Sequence, residues 1–334
     1  MANNKKIFGN EDEGGTGPSF WIILVIVSAV MVAFICIFVS LNKGSSAVVK
    51  KDTVAKPPDI DGKPGQPVPK PLPMPKKSYR KASAMSPAEY KAVCDSCAKA
   101  EEHLKYGRPA EAKESALKAL ASGIDRDDPA WGRAAAVINK VSSLVISSDV
   151  PGPEKESYTI EKGDSLLKIA LDAGTTVDML MRINGFSTSS PVIHPGRTLK
   201  VFKGNWRVEI SKKRFKLYLY DGENLFKAYN IGLGRQDKVP AGEYEIDVKK
   251  KDPAWSKDGR QVPAGSPENI LGSRWISLKA SDAASAAKGL GIHGSPAPEE
   301  IGRENASGYV RLSNDDIGEL YMVVPQKTTV IIED

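Results

Sequence analysis

Three cysteines and three histidines carry the most reactive side-chain chemistry in this 334-residue chain. Cys94 and Cys97 form Cys-Asp-Ser-Cys, the spacing of a redox pair or a local disulfide. No strand precedes the motif and no βαβ pattern surrounds it, so it reads as a structural pair on a helix. Cys36 lies in an apolar run and reads as a small buried residue. His293 follows Ile292 and precedes Gly294, and an imidazole suits proton transfer near neutral pH. His194 sits in a loop and receives no role. So few cysteines and histidines exclude a disulfide-stapled scaffold and a multi-ligand zinc site, and neither metal nor cofactor is expected. The net charge of +6 invites a nucleic-acid reading, but Lys43 to Ser86 holds ten Lys/Arg against three Asp. The remainder is close to neutral, with no basic globular face, and nucleic acid is not expected as a partner.

The elements that must position these residues fall into segments of distinct composition. After an N-terminal tail (1–19), Phe20 to Leu41 is free of charge. At ~1.5 Å per residue the run covers about 33 Å, enough for a ~30 Å hydrocarbon core. A signal-peptide core is shorter and follows a clearly basic start, whereas Glu11, Asp12 and Glu13 precede this one, so 20–41 is expected to be an uncleaved single-span anchor. Residues 42–86 hold eight prolines interleaved with lysines and no hydrophobic period. Such a linker cannot bury a core and favours extended polyproline conformation, reaching at most ~135 Å. Residues 87–148 read as three helices. Ser86-Pro87-Ala88-Glu89 offers a cap, and apolar residues then recur at helical spacing: Val93, Cys97, Ala100 and Leu104, then Ala112, Ala116 and Leu120, then Trp131, Ala135, Ile138, Val141 and Leu144. Small residues at facing positions resemble one tetratricopeptide-like hairpin with a capping helix, although the repeat does not recur.

Residues 157–202 predict β-α-α-β: a strand at Tyr158–Ile160, a turn at Lys162–Asp164, a helix capped by Ser165, a stop at Gly174, a second helix capped by Thr176, and a last strand, Thr198 to Val201. From end to end the segment resembles a LysM domain. The resemblance implies binding of N-acetylglucosamine-containing glycans such as peptidoglycan. The family's groove maps onto Gly163, Asp164, Ser165 and Leu166 in one loop, and onto Asn184, Gly185, Phe186 and Ile193 in the other. A module that keeps the fold without the glycan affinity is the alternative.

From residue 206 to 334 the period changes to two. Strands are expected at Val208–Ile210, Phe215–Tyr220, Leu225–Leu233, Gly242–Val248, Trp275–Leu278 and Thr328–Ile332, with a hairpin turn at Asp221-Gly222 and helical patches at Ser281–Lys288 and Asp315–Tyr321. This mostly-β domain resembles the L,D-transpeptidase catalytic domain. The matching segments include Val239-Pro240-Ala241-Gly242-Glu243-Tyr244, Ile292-His293-Gly294 and Gly308-Tyr309-Val310-Arg311-Leu312-Ser313-Asn314-Asp315. The resemblance implies cross-linking of peptidoglycan stem peptides through a cysteine acyl-enzyme, with a histidine as base. His293 takes the base position, and Arg311 and Asn314 shape the nucleophile loop. The family's Ser-His-Gly-Cys signature, however, reads Ala306-Ser307-Gly308-Tyr309, so Tyr309 occupies the nucleophile position. A thiol of pKa ~8.5 gives a few per cent thiolate at neutral pH, whereas a phenol near ~10 is ionised at about one part in a thousand.

The whole is therefore expected to be multidomain: a transmembrane helix, a disordered Pro/Lys linker, a small all-α segment, a βααβ LysM module and a mostly-β L,D-transpeptidase-like domain. Its expected function is that of a membrane-anchored wall receptor or scaffold, catalytically degenerate, with peptidoglycan glycan strands and stem peptides as partners. The alternatives are a working transpeptidase with an unusual nucleophile and a purely structural membrane-to-wall tether. Lys5 and Lys6 before the span, against Lys43, Lys50 and Lys51 after it, would by charge alone keep the C-terminal side cytoplasmic. Large domains translocate largely regardless of charge, and the wall-directed resemblances place them outside, in the periplasm or cell wall.

Overall fold

The computed structural model describes residues 78–147, 152–187, 191–235, 239–257, 259–281, 289–305 and 309–334. The expected tail and anchor, the linker up to residue 77, and 282–288 of the expected helical patch lie outside the described residues; the linker's expected last stretch, 78–86, is instead folded, because Arg80 bridges to Ile124, Ala82–Ala84 make a 3-10 turn and Met85 is buried in the core. No described helix is long and apolar enough to cross a membrane. All described residues fall within one compact unit, Pro71–Asp334.

Three helices come first: α1 (Pro87–Lys105), α2 (Pro109–Ala121) and α3 (Pro129–Ser147). The capping box forms as read: the Ser86 hydroxyl accepts from the Glu89 N–H at 3.2 Å, and the Glu89 carboxylate accepts from the Ser86 N–H at 2.7 Å. Val93, Cys97 and Ala100 are buried as the spacing predicts, but Leu144 is not; it is 42% exposed, while Val145 and Ile146 turn inward. Cys94 and Cys97 are unbonded thiols on α1, and Cys97 packs in the core with its Sγ 3.3 Å from the Ala130 carbonyl.

These helices are joined to the sheet of the C-terminal half. α3 lies along the edge strand β5 (Asn224–Asn230), and Asn139 treats that edge as a neighbouring strand would. Its amide donates to the Ala228 carbonyl at 2.9 Å and accepts from the Ala228 N–H at 2.8 Å. Ser142 donates to the Phe226 carbonyl at 2.5 Å, and Trp131 meets Tyr218 edge-on at 5.5 Å. An unpaired strand edge is a liability, and the polar stripe on α3 covers it. Arg126, just before α3, pairs with Glu209, donates to the Tyr220 hydroxyl at 2.7 Å and lies over the Tyr218 ring.

Next comes β1 (Lys155–Thr159), α4 (Leu166–Asp172), α5 (Val177–Ile183) and β2 (Thr198–Phe202), with β1 and β2 antiparallel from Lys155↔Phe202 to Thr159↔Thr198. Ser165 and Thr176 cap the helices by accepting from the N–H groups of Lys168 and Met179, and Gly174 takes φ 64°, open to glycine. Ile160, Ile169, Ala170, Leu180, Leu199 and Val201 make the module's own small core. Its other side is docked. Met179 joins the main core, the Trp206 indole donates to the Gly174 carbonyl at 2.8 Å and stacks on Phe202, the Thr176 hydroxyl donates to the Met322 carbonyl, and Asp178 pairs with Lys251 at 2.6 Å.

The remaining described residues build a nine-stranded sheet. To β5 it adds β3 (Trp206–Ser211), β4 (Lys216–Asp221), β6 (Gly232–Leu233), β7 (Gly242–Lys251), β10 (Arg274–Ala280), β11 (Gly291–Ser295), β12 (Val310–Ser313) and β13 (Thr329–Glu333). Their order is β5-β4-β3-β13-β7-β10-β11-β12-β6. A separate hairpin, β8 (Trp255–Lys257) and β9 (Arg260–Val262), precedes β10, and α6 (Asn314–Val323) comes after β12. The strand expected across Leu225–Leu233 breaks at Ile231, whose N–H bonds to the Phe215 carbonyl, and its two parts occupy opposite edges of the sheet. β11 and β12, parallel to each other, carry no alternating pattern in the sequence; β11 is buried along its whole length.

Candidate functional site

The site is a row across four strands. Trp275 on β10 is opposite His293 on β11, His293 is opposite Arg311 on β12, and Arg311 is opposite Gly232 on β6. Partners in register share a face, so the indole, imidazole and guanidinium project together. The Trp275 and His293 rings stack with centroids 6.0 Å apart and planes at 25°. Gly291 makes this possible, because a Cβ there would come within 2.5 Å of the indole.

His293 is fully buried and both ring nitrogens are occupied. Nδ1 lies 2.6 Å from the Gly294 carbonyl, which can only accept, so Nδ1 carries the proton and donates. Nε2 then accepts from the backbone N–H of Tyr309 at 3.3 Å. Burial pulls the imidazole down from the usual 6.5 to about 4; the Gly294 and Ile270 backbone groups oppose the fall and the Arg311 charge assists it. The ring is neutral at physiological pH.

Tyr309 is half-buried, meets Trp275 edge-on with centroids 6.1 Å apart, and directs its hydroxyl toward Gly289, where a Cβ would sit 3.3 Å from it. Among the described residues that hydroxyl makes no hydrogen bond with His293. Arg311 is buried; it donates to the Leu233 carbonyl at 2.5 Å and faces the Glu300 carboxylate at 3.6 Å. Glu300 also accepts from Ser295 and Asn305, tying the 296–305 loop to β11. Asn314 Oδ1 accepts from the Ser273 N–H at 2.9 Å, and a Cβ at either Gly272 or Gly294 would fall 2.3 Å from that oxygen. Asn314 thus locks the turn before β10 against the end of β11. His293, Tyr309, Arg311 and Asn314 are therefore gathered at one place, while Ser307 and Gly308 lie outside the described residues. Sequence reasoning missed Trp275, Gly291 and Glu300. Trp275 reads as an ordinary strand aromatic, and only the register reveals its neighbour.

In the LysM module, the polar side chains of the two candidate loops are committed internally. Asp164 accepts from Lys168, from the Glu161 N–H and from the Tyr158 hydroxyl, which together hold its carboxyl down at about 2. Ser165 is a helix cap. The Asn184 amide donates to the carbonyls of Leu180 and Lys200 and accepts from the Lys200 N–H, fastening the end of α5 to β2. Leu166, Phe186 and Ile193 are half-buried against the small core. Gly163 and Gly185, with positive φ, face open space. What these loops present to a ligand is backbone and apolar surface. Among the described residues no group of His, Cys, Asp and Glu has the arrangement of a metal site.

Two segments of the chain match known families. The family model of the L,D-transpeptidase catalytic domain (YkuD) matches residues 205–332, and that of the LysM domain matches residues 158–202. "Putative L,D-transpeptidase YqjB" of Bacillus subtilis is 30% identical over 132 residues, covering 39% of this chain and 73% of the relative. "Putative L,D-transpeptidase YkuD" of Bacillus licheniformis is 30% identical over 183 residues, covering 52% of this chain and 97% of the relative. A crystal structure of an L,D-transpeptidase from Mycobacterium tuberculosis shares 17% identity over 42% of this chain and 63% of that one, with a TM-score of 0.32. From the length and identity of the two Bacillus matches, the chain belongs to the L,D-transpeptidase family, with a LysM domain ahead of the catalytic-type domain.

Proposed function

We propose that this protein is a membrane-anchored, extracytoplasmic peptidoglycan-binding receptor or scaffold whose L,D-transpeptidase-type domain is catalytically degenerate. The observation that carries the reading is the hydrogen bond from the Tyr309 amide to His293 Nε2, with Nδ1 already donating to Gly294. At the family's nucleophile position stands a phenol, and the imidazole beside it is neutral, buried and occupied. General-base activation of a nucleophile needs a free lone pair within hydrogen-bond reach of the proton removed. Here that lone pair holds a backbone N–H, and the phenol oxygen turns toward Gly289. His293 orients the start of β12 as a positioning residue rather than moving a proton.

The LysM and catalytic-type domains together indicate peptidoglycan binding. Glycan contact is assigned to the backbone and apolar surface around Gly163, Leu166, Gly185, Phe186 and Ile193, with Asp164, Ser165 and Asn184 holding the loops in shape. Stem peptide is assigned to the half-buried surface of Trp275 and Tyr309. Residues 20–41 supply the anchor, and the linker from 42 to 77 spans the gap to the wall.

The test uses the full chain in detergent. Incubation with a disaccharide-tetrapeptide donor, followed by intact mass, is expected to show no acyl adduct, and titration with the same muropeptide is expected to show binding. Steady cross-linking of two muropeptides would overturn the degenerate assignment, and absence of binding would remove the receptor. Protease added outside spheroplasts is expected to digest residues 78–334; full protection would reverse the topology.

A further inference from the structure

We propose that the groove between α1 and α3 is a docking site for an acidic peptide segment of a partner protein, independent of the wall-binding surfaces. The groove encloses about 700 Å³, within the range of recognition pockets. It exists because α3 turns its smallest residues toward it. Gly132 and Ala136, one turn apart, are exposed, and a Cβ at Gly132 would meet open space. Leu104 and Val137 complete an apolar floor. An α-helical surface left bare by such small residues accepts another chain's apolar side chain at close range.

Charge identifies the occupant. The helical segment from Pro87 to Ser147 carries nine Lys/Arg and nine Asp/Glu, so on average it is neutral. Three of those cations, Lys105, Arg133 and Lys140, line this one groove against a single acid, Glu101. Glu101 is already consumed by Arg133, which donates to both its oxygens at 2.8 and 2.6 Å. Three of the segment's other acids are paired away from the groove: Asp127 with Arg214, Glu89 with Arg80 and Asp95 with Lys91. The segment has thus segregated positive charge onto the rim of its apolar floor, which complements a ligand with a hydrophobic side chain between carboxylates. The exposed Tyr106 ring, at the end of α1 with Lys105 and Arg108 near its face, extends the same surface.

The test is fluorescence anisotropy of the full chain in detergent with a fluorescein-labelled Glu-Asp-Leu-Leu-Asp-Glu peptide, and with the Gln-Asn-Leu-Leu-Asn-Gln peptide as its uncharged match. The acidic peptide is expected to bind and to weaken as salt rises from ~0.05 to ~1 M, where screening shortens from over ten ångströms to about 3 Å. Lys105→Glu with Lys140→Glu is expected to weaken it by about tenfold, the scale of two exposed ion pairs turned to repulsion. Ala136→Trp fills the floor from the solvent side, and is expected to abolish binding at an unchanged melting temperature. Lys118→Glu, exposed on α2 away from the groove, is expected to leave binding intact. Equal affinity for the uncharged peptide, an equal loss in Lys118→Glu, or no binding of the acidic peptide would overturn the proposal. So would binding seen only after residues 1–19 are removed, which would make the chain's own Glu11-Asp12-Glu13 the occupant.

Discussion

Replacing His293 with glutamine tests the buried imidazole directly, through the pH dependence of stability. In the folded protein the imidazole titrates at about 4, against an ordinary 6.5. Because the folded value is depressed, the unfolded chain binds the extra proton between pH 6.5 and 4. The stability associated with His293 is therefore complete above pH 6.5 and is lost as pH falls through that window. The drop from 6.5 to about 4 corresponds to roughly 3 kcal/mol. For a folded unit of this size, that is a fall of about 6–12 °C in melting temperature at 2–4 °C per kcal/mol. Calorimetry or denaturant unfolding at a series of pH values, run in parallel on the parent and on His293→Gln, reads the difference in slope, so a uniformly less stable variant does not spoil the comparison. The parent is expected to lose the additional ~3 kcal/mol and the variant is not. Nitrogen NMR of the ring adds a second readout, with the Nδ1-protonated neutral tautomer expected at pH 6. Parallel pH profiles would mean that the imidazole titrates near its ordinary value, open to water and available as a base. That result would refute both the burial argument and the degenerate reading built on it.

Restoring the family's signature by Tyr309→Cys with Ser307→His is expected to create measurable muropeptide cross-linking where the parent has none, scored by chromatography of the products; an active parent with an inert double variant would reverse the assignment of His293 and Tyr309. Asn139→Ala removes both bonds to Ala228 and uncovers the β5 edge, and is expected to cost about 1–3 kcal/mol in denaturant unfolding and to promote self-association visible by light scattering. Gly294→Ala forces a Cβ to within 2.3 Å of Asn314 Oδ1 and is expected to destabilise the fold by about 1–3 kcal/mol, with relief from a simultaneous Asn314→Ala. Asn184→Ala is expected to loosen α5 from β2, raising amide hydrogen exchange at Lys200 and weakening glycan binding through the loop's shape; unchanged exchange with lost binding would make Asn184 a direct ligand contact instead.

Much of this protein is written in short-range signals. The capping box at Ser86, the caps at Ser165 and Thr176 and the stop at Gly174 each depend on a few consecutive residues and form as read, and the hairpin turn expected at Asp221-Gly222 forms one residue later, at Gly222-Glu223. The order of the LysM and L,D-transpeptidase segments is legible for the same reason, since a motif is a local string. Leu144 and the break at Ile231 went unread because both are decided by distant partners: the surface of β5 that α3 covers, and the Phe215 carbonyl that takes the Ile231 N–H.

What the sequence determined by itself, then, is which modules are present and in what order. The tertiary structure decided the state of the site. His293 and Arg311 become neighbours only when β11 and β12 pair in parallel, and the imidazole becomes neutral only because burial, helped by the Arg311 charge, outweighs the carbonyls that would hold its proton. The same holds for the helices and the LysM module. Composition presents them as separate beads, yet Asn139, Trp206 and Thr176 reach across sequence separations that no local pattern encodes, and bind both to the C-terminal domain. Non-local contacts fix burial, and burial fixes protonation.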